Sequence, residues 1–265
     1  MATGPLDADS SAAYRQSALF QLMEHHRRPS SYPPPPPAPD EPPHAEAHRL
    51  ERRGPRQLVG PQREEAVGEQ LRARGDEFLG HGHTNSDEQG GLPEAEERAL
   101  MQDCMNRIKA EEGEAPIGWM SPWLSNSAIT ADLLEEIGYK YFMDWTTDDQ
   151  PIWFKTRSGG KILSMPYPVE CNDNRALVWF RYTSQEFADM LIDQFDEMLR
   201  QAERGTPVVC PISLHPFSVG RPYRMPALRR VYEHILKHQD RIWLTKPIDI
   251  YNHIESLSAG IVPGS

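Results

Sequence analysis

Apolar residues along the first seventy positions do not sustain any period longer than one short helix. At 13–26, Leu19, Leu22 and Met23 recur at helical spacing and predict a short amphipathic helix. Positions 27–62 run Pro- and Arg-rich, with Pro33 to Pro37 consecutive, and the reading assigns them no regular structure. From Leu71 the texture changes. Residues 75–82 read as a short strand ending in a polar turn, and 93–112 as a helix with the stripe Leu100, Met101, Cys104, Met105 and Ile108. A strand at 115–120 leads to Thr130, which caps a helix over 131–137 that Gly138 stops. Strands follow at 139–145 and 162–167. Thr183 and Glu186 form a capping box that opens a helix through Phe187, Leu191, Phe195 and Met198, ended by Gly205. A buried-type strand at 207–214, a helix at 227–238, a strand at 242–246 and a helix after Pro247 complete the series. This order predicts an α/β fold with a parallel sheet or a (β/α) barrel. Periodicity leaves those two open.

Composition sharpens the boundary. Twelve of the 25 prolines lie in residues 1–70, together with eight arginines and no lysine. Such a segment buries too little apolar surface to offset the entropy of ordering it. The expected organisation is therefore a largely disordered stretch at 1–70, a folded domain at 71–258 and a tail at 259–265. A net charge of −11 argues against a nucleic-acid or anionic-membrane partner, since both need a basic footprint. No run approaches the ~20 apolar residues of a membrane span, and no secretory signal is visible at the start. Cys104, Cys171 and Cys210 are odd in number and widely spaced, which fits free thiols in the cytoplasm.

In strand–helix folds of this kind, chemistry collects where the strands end. Two histidines and an amide, His81, His83 and Asn85, fall at one such end; alone they equally suit solvated turn residues or a weak metal site. Glu77, Asp87 and Glu88 are the nearby carboxylates that could complete such a site. His215 follows the apolar run 208–214 and is a candidate general acid or base. Asp144, Asp148 and Asp149 follow another strand, where like charges buried together would raise one another's pKa. Trp119, Trp123, Trp145, Trp153 and Trp179 flank these loops, and aromatic walls suit a sugar or a flat heterocycle.

The segments GDEFLGHGHTNS, PIGWMSPWLSNS, DWTTDDQPIW, PYPVECND and SLHPFSVGRPYR, in this order, resemble the polysaccharide deacetylase superfamily and within it the allantoinase-like branch. The resemblance implies a distorted (β/α) barrel, incomplete at the N-terminus, that hydrolyses carbon–nitrogen bonds other than peptide bonds. It matches His215 to the histidine that protonates the leaving nitrogen, and His81 to the first histidine of a metal motif whose second is here Asn85. Asp144 is the second catalytic candidate. Trp119, Trp123, Asp149, Asn172 and Asp173 are the candidates for holding a small-molecule or carbohydrate substrate. The family's acidic first-strand motif has no match in residues 1–70, and its third-motif arginine none in 119–123. A divalent metal such as zinc is therefore expected to be held weakly or not at all. A sheet lacking its first strands also has an open edge, so self-association is expected. An enzyme and an inactive binding module remain the two readings at this point.

Overall fold

The structure is a computed structural model that describes residues 61–85 and 88–265. The helix expected at 13–26 and the irregular run at 27–60 lie outside the described residues. Across the boundary set at residue 70, helix α1 spans Pro61–Arg74. Pro61 suits the first helical turn, and Glu64, Glu65 and Gln70 are good helix formers, a local signal that the proline-rich composition upstream obscured. Gly75, at φ 71°, ends the helix by donating to the Arg72 carbonyl.

Glu77 to Ser265 form a separate unit. Its elements are α2 (Glu94–Glu112), β1 (Gly118–Trp119), α3 (Thr130–Ile137), β2 (Tyr141–Phe142), β3 (Ile152–Lys155), β4 (Lys161–Ser164), α4 (Ser184–Glu203), α5 (Pro216–Val219), α6 (Met225–Leu236) and α7 (Pro247–Glu255). The sheet order is β1-β2-β4-β3, with β1, β2 and β4 parallel and β3 antiparallel against β4. A parallel bridge from Gly80 to Trp119 extends it on one side. Asn172 bridges Ser213 in the same parallel sense. The strands expected at 207–214 and 242–246 are absent beyond that one bridge. Pro207 and Pro211 remove ladder donors in the first, which explains why an apolar run there stays extended without pairing.

Strand side chains alternate between two cores, because successive residues point to opposite faces. Leu79, Met120, Tyr141, Met143, Leu163 and Met165 face the larger core with Phe187, Leu191 and Phe195 of α4 and Leu228 and Val231 of α6. Trp119, Phe142 and Ile162 face the other way, against Leu100, Met101 and Cys104 of α2 and Leu133 and Leu134 of α3. The capping box at Thr183 and Glu186 is present on α4, as its sequence predicts. Gly138 ends α3 at φ 116°, a conformation open to glycine. Thr130, by contrast, sits inside α3 and accepts from Ser127 N–H rather than capping the helix. Among the described residues no helix is long and apolar enough to cross a membrane.

One buried carboxyl in this frame makes stability depend on pH. Glu77 accepts from the Tyr141 hydroxyl and, at 2.8 Å, from the Ile248 N–H at the start of α7. Burial outweighs these bonds and nearby Lys246, pushing the carboxyl from 4.5 up to about 7. Since the folded pKa lies above the unfolded one, this group's contribution is complete below pH 4.5 and is lost as pH rises through about 7. Relative to Glu77→Gln, the wild type should therefore lose ~2 kcal/mol of stability over that window, measured by denaturant titration at its two ends. A difference that does not change with pH would refute the assignment.

Candidate active site

Three strand ends converge on a cavity of about 130 Å³ whose walls include Asn85, Met120, Trp123, Asn172, Arg175 and His215. His215 closes the extended run that ends at Leu214 and is itself buried. Its Nδ1 lies 2.6 Å from Asp173 Oδ1, and Asp173 is fully buried. The same carboxylate accepts from the backbone N–H groups of His215 (2.9 Å) and Val219 (2.9 Å). A carboxylate acceptor fixes a proton on Nδ1, which leaves Nε2 as the atom that takes up and gives a proton, holding a lone pair in the neutral ring and a proton in the imidazolium. Asp173, expected to touch substrate, instead sits behind the histidine and orients it.

His81 stands beside this cavity without being one of its lining residues, near enough to His215 to feel its charge. Its Nδ1 donates to the Met120 carbonyl at 2.6 Å, and its Nε2 faces Asn85 Oδ1 at 3.2 Å. A carbonyl can only accept, so Nδ1 holds the proton; in the neutral ring Nε2 keeps a lone pair, which the Asn85 carboxamide meets with its NH2 turned toward it in place of Oδ1. Burial is the main reason its pKa lies below 6.5, and the nearby charge of His215 lowers it further. His81 is therefore neutral at pH 7. Asn85 and Met120, its two partners, both line the cavity.

The remaining expected residues divide. Trp123 lines the cavity, is half-exposed, and anchors its indole N–H on the Asn85 carbonyl at 2.7 Å. Its φ of 59°, and 56° at Leu124, are left-handed values that a large side chain adopts only under constraint from its surroundings. Trp179 stands across from it, edge to face, with ring centroids 6.4 Å apart. Trp119 is not a wall of the site. It is fully buried against Tyr139, because β1 turns Met120, not Trp119, toward the cavity. Trp145 and Trp153 are likewise packing residues, against Phe142 and Phe154 and against Tyr251.

Asp144 also departs from the catalytic role expected of it. It is buried and bonded to Ser121 N (2.6 Å) and Ser121 Oγ (2.5 Å), and it does not line the cavity. Its carboxyl is pushed up to about 6 by burial, with the charge of Glu97 a smaller cause. The like-charge explanation from Asp148 and Asp149 fails, since both are exposed. Asp149 lies outside the cavity lining and contributes its backbone carbonyl to Val209 N.

Asn172 lines the cavity, but its amide is spent on structure. Nδ2 donates to Tyr167 Oη and Ser213 Oγ, while Oδ1 accepts from Asn174 N and Arg175 N. These last bonds start a π-helical turn, Asn174–Trp179, which sequence reading missed. Such turns are rare and concentrate at functional sites. This one brings Arg175 to the cavity, 5.7 Å over the Trp179 ring. The sequence signal available was the polar run Asn172 to Arg175 directly after a strand, but nothing in it announces a π turn.

A divalent metal wants three or more ligands of His, Cys or carboxylate type. In the cleft His81 supplies one imidazole and Asn85 a neutral amide oxygen, so these donors do not make a firm site. His83 is exposed and faces Asp103 at 3.9 Å, Glu88 is exposed, Glu77 is engaged with Tyr141 and Ile248, and Asp87 lies outside the described residues. Among the described residues the gathering suited to a metal is Asp196, His234 and His238, on α4 and at the end of α6. None of the three lines the cleft.

No family model matches the chain. A peptidoglycan deacetylase from Helicobacter pylori is 25% identical over 202 residues, covering 64% of this chain and 68% of that protein. Among solved structures the chain is similar to Puue allantoinase, at 30% identity and a TM-score of 0.65. It is also similar to a probable polysaccharide deacetylase from Pseudomonas aeruginosa PAO1, at 31% identity and a TM-score of 0.63. Both likenesses cover 72% of this chain and 63% of the other, so the chain spans less than two thirds of either structure. With deacetylases among both its sequence relatives and its structural neighbours, and a mostly parallel sheet ending in the histidine-bearing cleft, the chain is similar to polysaccharide deacetylases and to an allantoinase over most of its described length.

Proposed function

We propose that the cleft hydrolyses a carbon–nitrogen bond other than a peptide bond, in an N-acetylated carbohydrate or a cyclic ureide. The observation that carries this reading is His215 seated on the buried Asp173 carboxylate at the wall of a cavity that also presents Asn85 and the Trp123–Trp179 pair. The neutral Nε2 of His81 accepts a proton from water as the water oxygen attacks the carbonyl carbon. The carbon–nitrogen bond then breaks while His215, protonated on Nε2, delivers its proton to the departing nitrogen. Asp173 stabilises the imidazolium from which that proton comes. The two indoles supply an apolar wall for a sugar or ureide ring, and Arg175 places a cation at its edge. The cytoplasm, with its free thiols, is the compartment this reading assigns.

The donor set at His81 supports only weak metal binding, so no step of this scheme passes through a metal. Without the acidic base of the family's first strand, turnover should be slow, by roughly 10²–10⁴ against a site that has one. The test is a panel of N-acetylated chito-oligosaccharides, peptidoglycan fragments, allantoin and small cyclic imides, assayed for released acetate or ring opening. Slow turnover of one class is expected, with less than one equivalent of zinc retained through purification and no loss of that zinc in His81→Ala. No turnover of any member, or zinc held stoichiometrically through His81, would overturn the reading.

A further inference from the structure

Outside the cleft, α4 and the end of α6 bring together Asp196, His234 and His238, each half-buried. One ligand atom from each lies within 4.8 Å of the other two. His234 lies in the last turn of α6 and His238 in the turn that follows it, with their ring centroids 5.5 Å apart, and Asp196 reaches them from the neighbouring helix α4. His234 Nε2 already stands 2.7 Å from Asp196 Oδ1. Phe195 packs under both imidazoles, with ring centroids 6.0 and 5.7 Å away, and restricts how they can turn. Four-coordinate zinc, with bonds of ~2.0–2.1 Å, sets its ligand atoms about 3.3 Å apart, so side-chain shifts of about an ångström would close the trio on an ion. Arg241, which donates to His238 Nδ1 and pairs with Glu203, is an exposed side chain that can move aside.

We infer that Asp196, His234 and His238 form a binding site for a divalent transition metal such as zinc, separate from the cleft, that ties α4 to the C-terminal end of α6. Two imidazoles and a carboxylate suit zinc, nickel or copper and not magnesium or calcium, which want oxygen donors. The cation would also lie in the last turn of α6, where the helix dipole favours positive charge. Three half-exposed ligands with an open fourth position favour reversible binding, so zinc bound here should be partly lost during purification.

The experiment uses the full chain, treated with a chelator and then titrated with zinc chloride by calorimetry, alongside thermal melts. One equivalent is expected to bind, and a zinc concentration about a hundredfold above the dissociation constant should raise the melting temperature by about 5 °C or more. His234→Gln and His238→Gln should each weaken binding by about tenfold or more and remove the thermal shift, while His81→Ala should retain both. Should one substitution disturb folding, the other still reports, since the two residues act as ligands to the same ion. Zinc binding unchanged in both glutamine variants, binding lost only in His81→Ala, or no binding by the wild type at about 1 mM zinc would overturn the site.

Discussion

Replacing His215 with alanine should reduce hydrolysis of whichever panel substrate the chain accepts by about 10²-fold or more, down to the uncatalysed rate. The loss should fall on kcat and kcat/KM together, because proton delivery to nitrogen matters only in the transition state. Asp173→Asn separates chemistry from architecture. With its single oxygen in the Oδ2 position the amide can still accept from the backbone N–H groups of His215 and Val219, while its NH2 meets His215 Nδ1 and reverses the ring's tautomer. The amide carries no charge to stabilise the imidazolium, so a rate loss of about tenfold or more is expected. A His215→Ala protein with wild-type turnover, or an Asp173→Asn protein with an undiminished rate, would remove the proposed acid.

The second large effect is on stability and tests which tryptophan belongs to the site. Trp119→Ala should destabilise the protein by ~3–5 kcal/mol, because it opens a cavity in the core between β1, α2 and α3 and removes the indole N–H that donates to the Ser121 hydroxyl. Its KM, measured at a temperature where the variant stays folded, should be close to that of the wild type. Trp123→Ala should show the reverse pattern, with KM raised about tenfold and a much smaller cost in stability, since that ring is half-exposed and faces the cavity. Swapped outcomes would show that the strand register assigned to β1 is wrong.

Legibility of the site followed the range of the forces that build it. The helices at 93–112, 183–205 and 227–238, the glycine stop at Gly138 and the Thr183–Glu186 box were readable, because periodicity, capping and turn preferences are local properties of the chain. The ends of parallel strands were readable too, and they located His81, Asn85, Trp123 and His215. The same local logic misplaced Trp119 and Asp144: both lie at the right depth, but a strand's alternation decides which neighbour faces the cavity, and that parity depends on where the sheet begins to pair. Asp173 was recognised as polar and near the site, yet only the fold shows that its carboxylate lies behind His215, 42 positions away in sequence. The π turn that delivers Arg175 depends on the Asn172 amide bonding Tyr167 and Ser213, one of them 41 positions distant. The Asp196–His234–His238 group likewise required two helices to pack. The sequence by itself determined the main helices of the larger unit and the strand ends that border the cleft, and it carries the resemblance to polysaccharide deacetylases. The tertiary structure alone decided which side chains meet in the cleft, because those meetings depend on strand parity and on contacts between segments far apart in the chain.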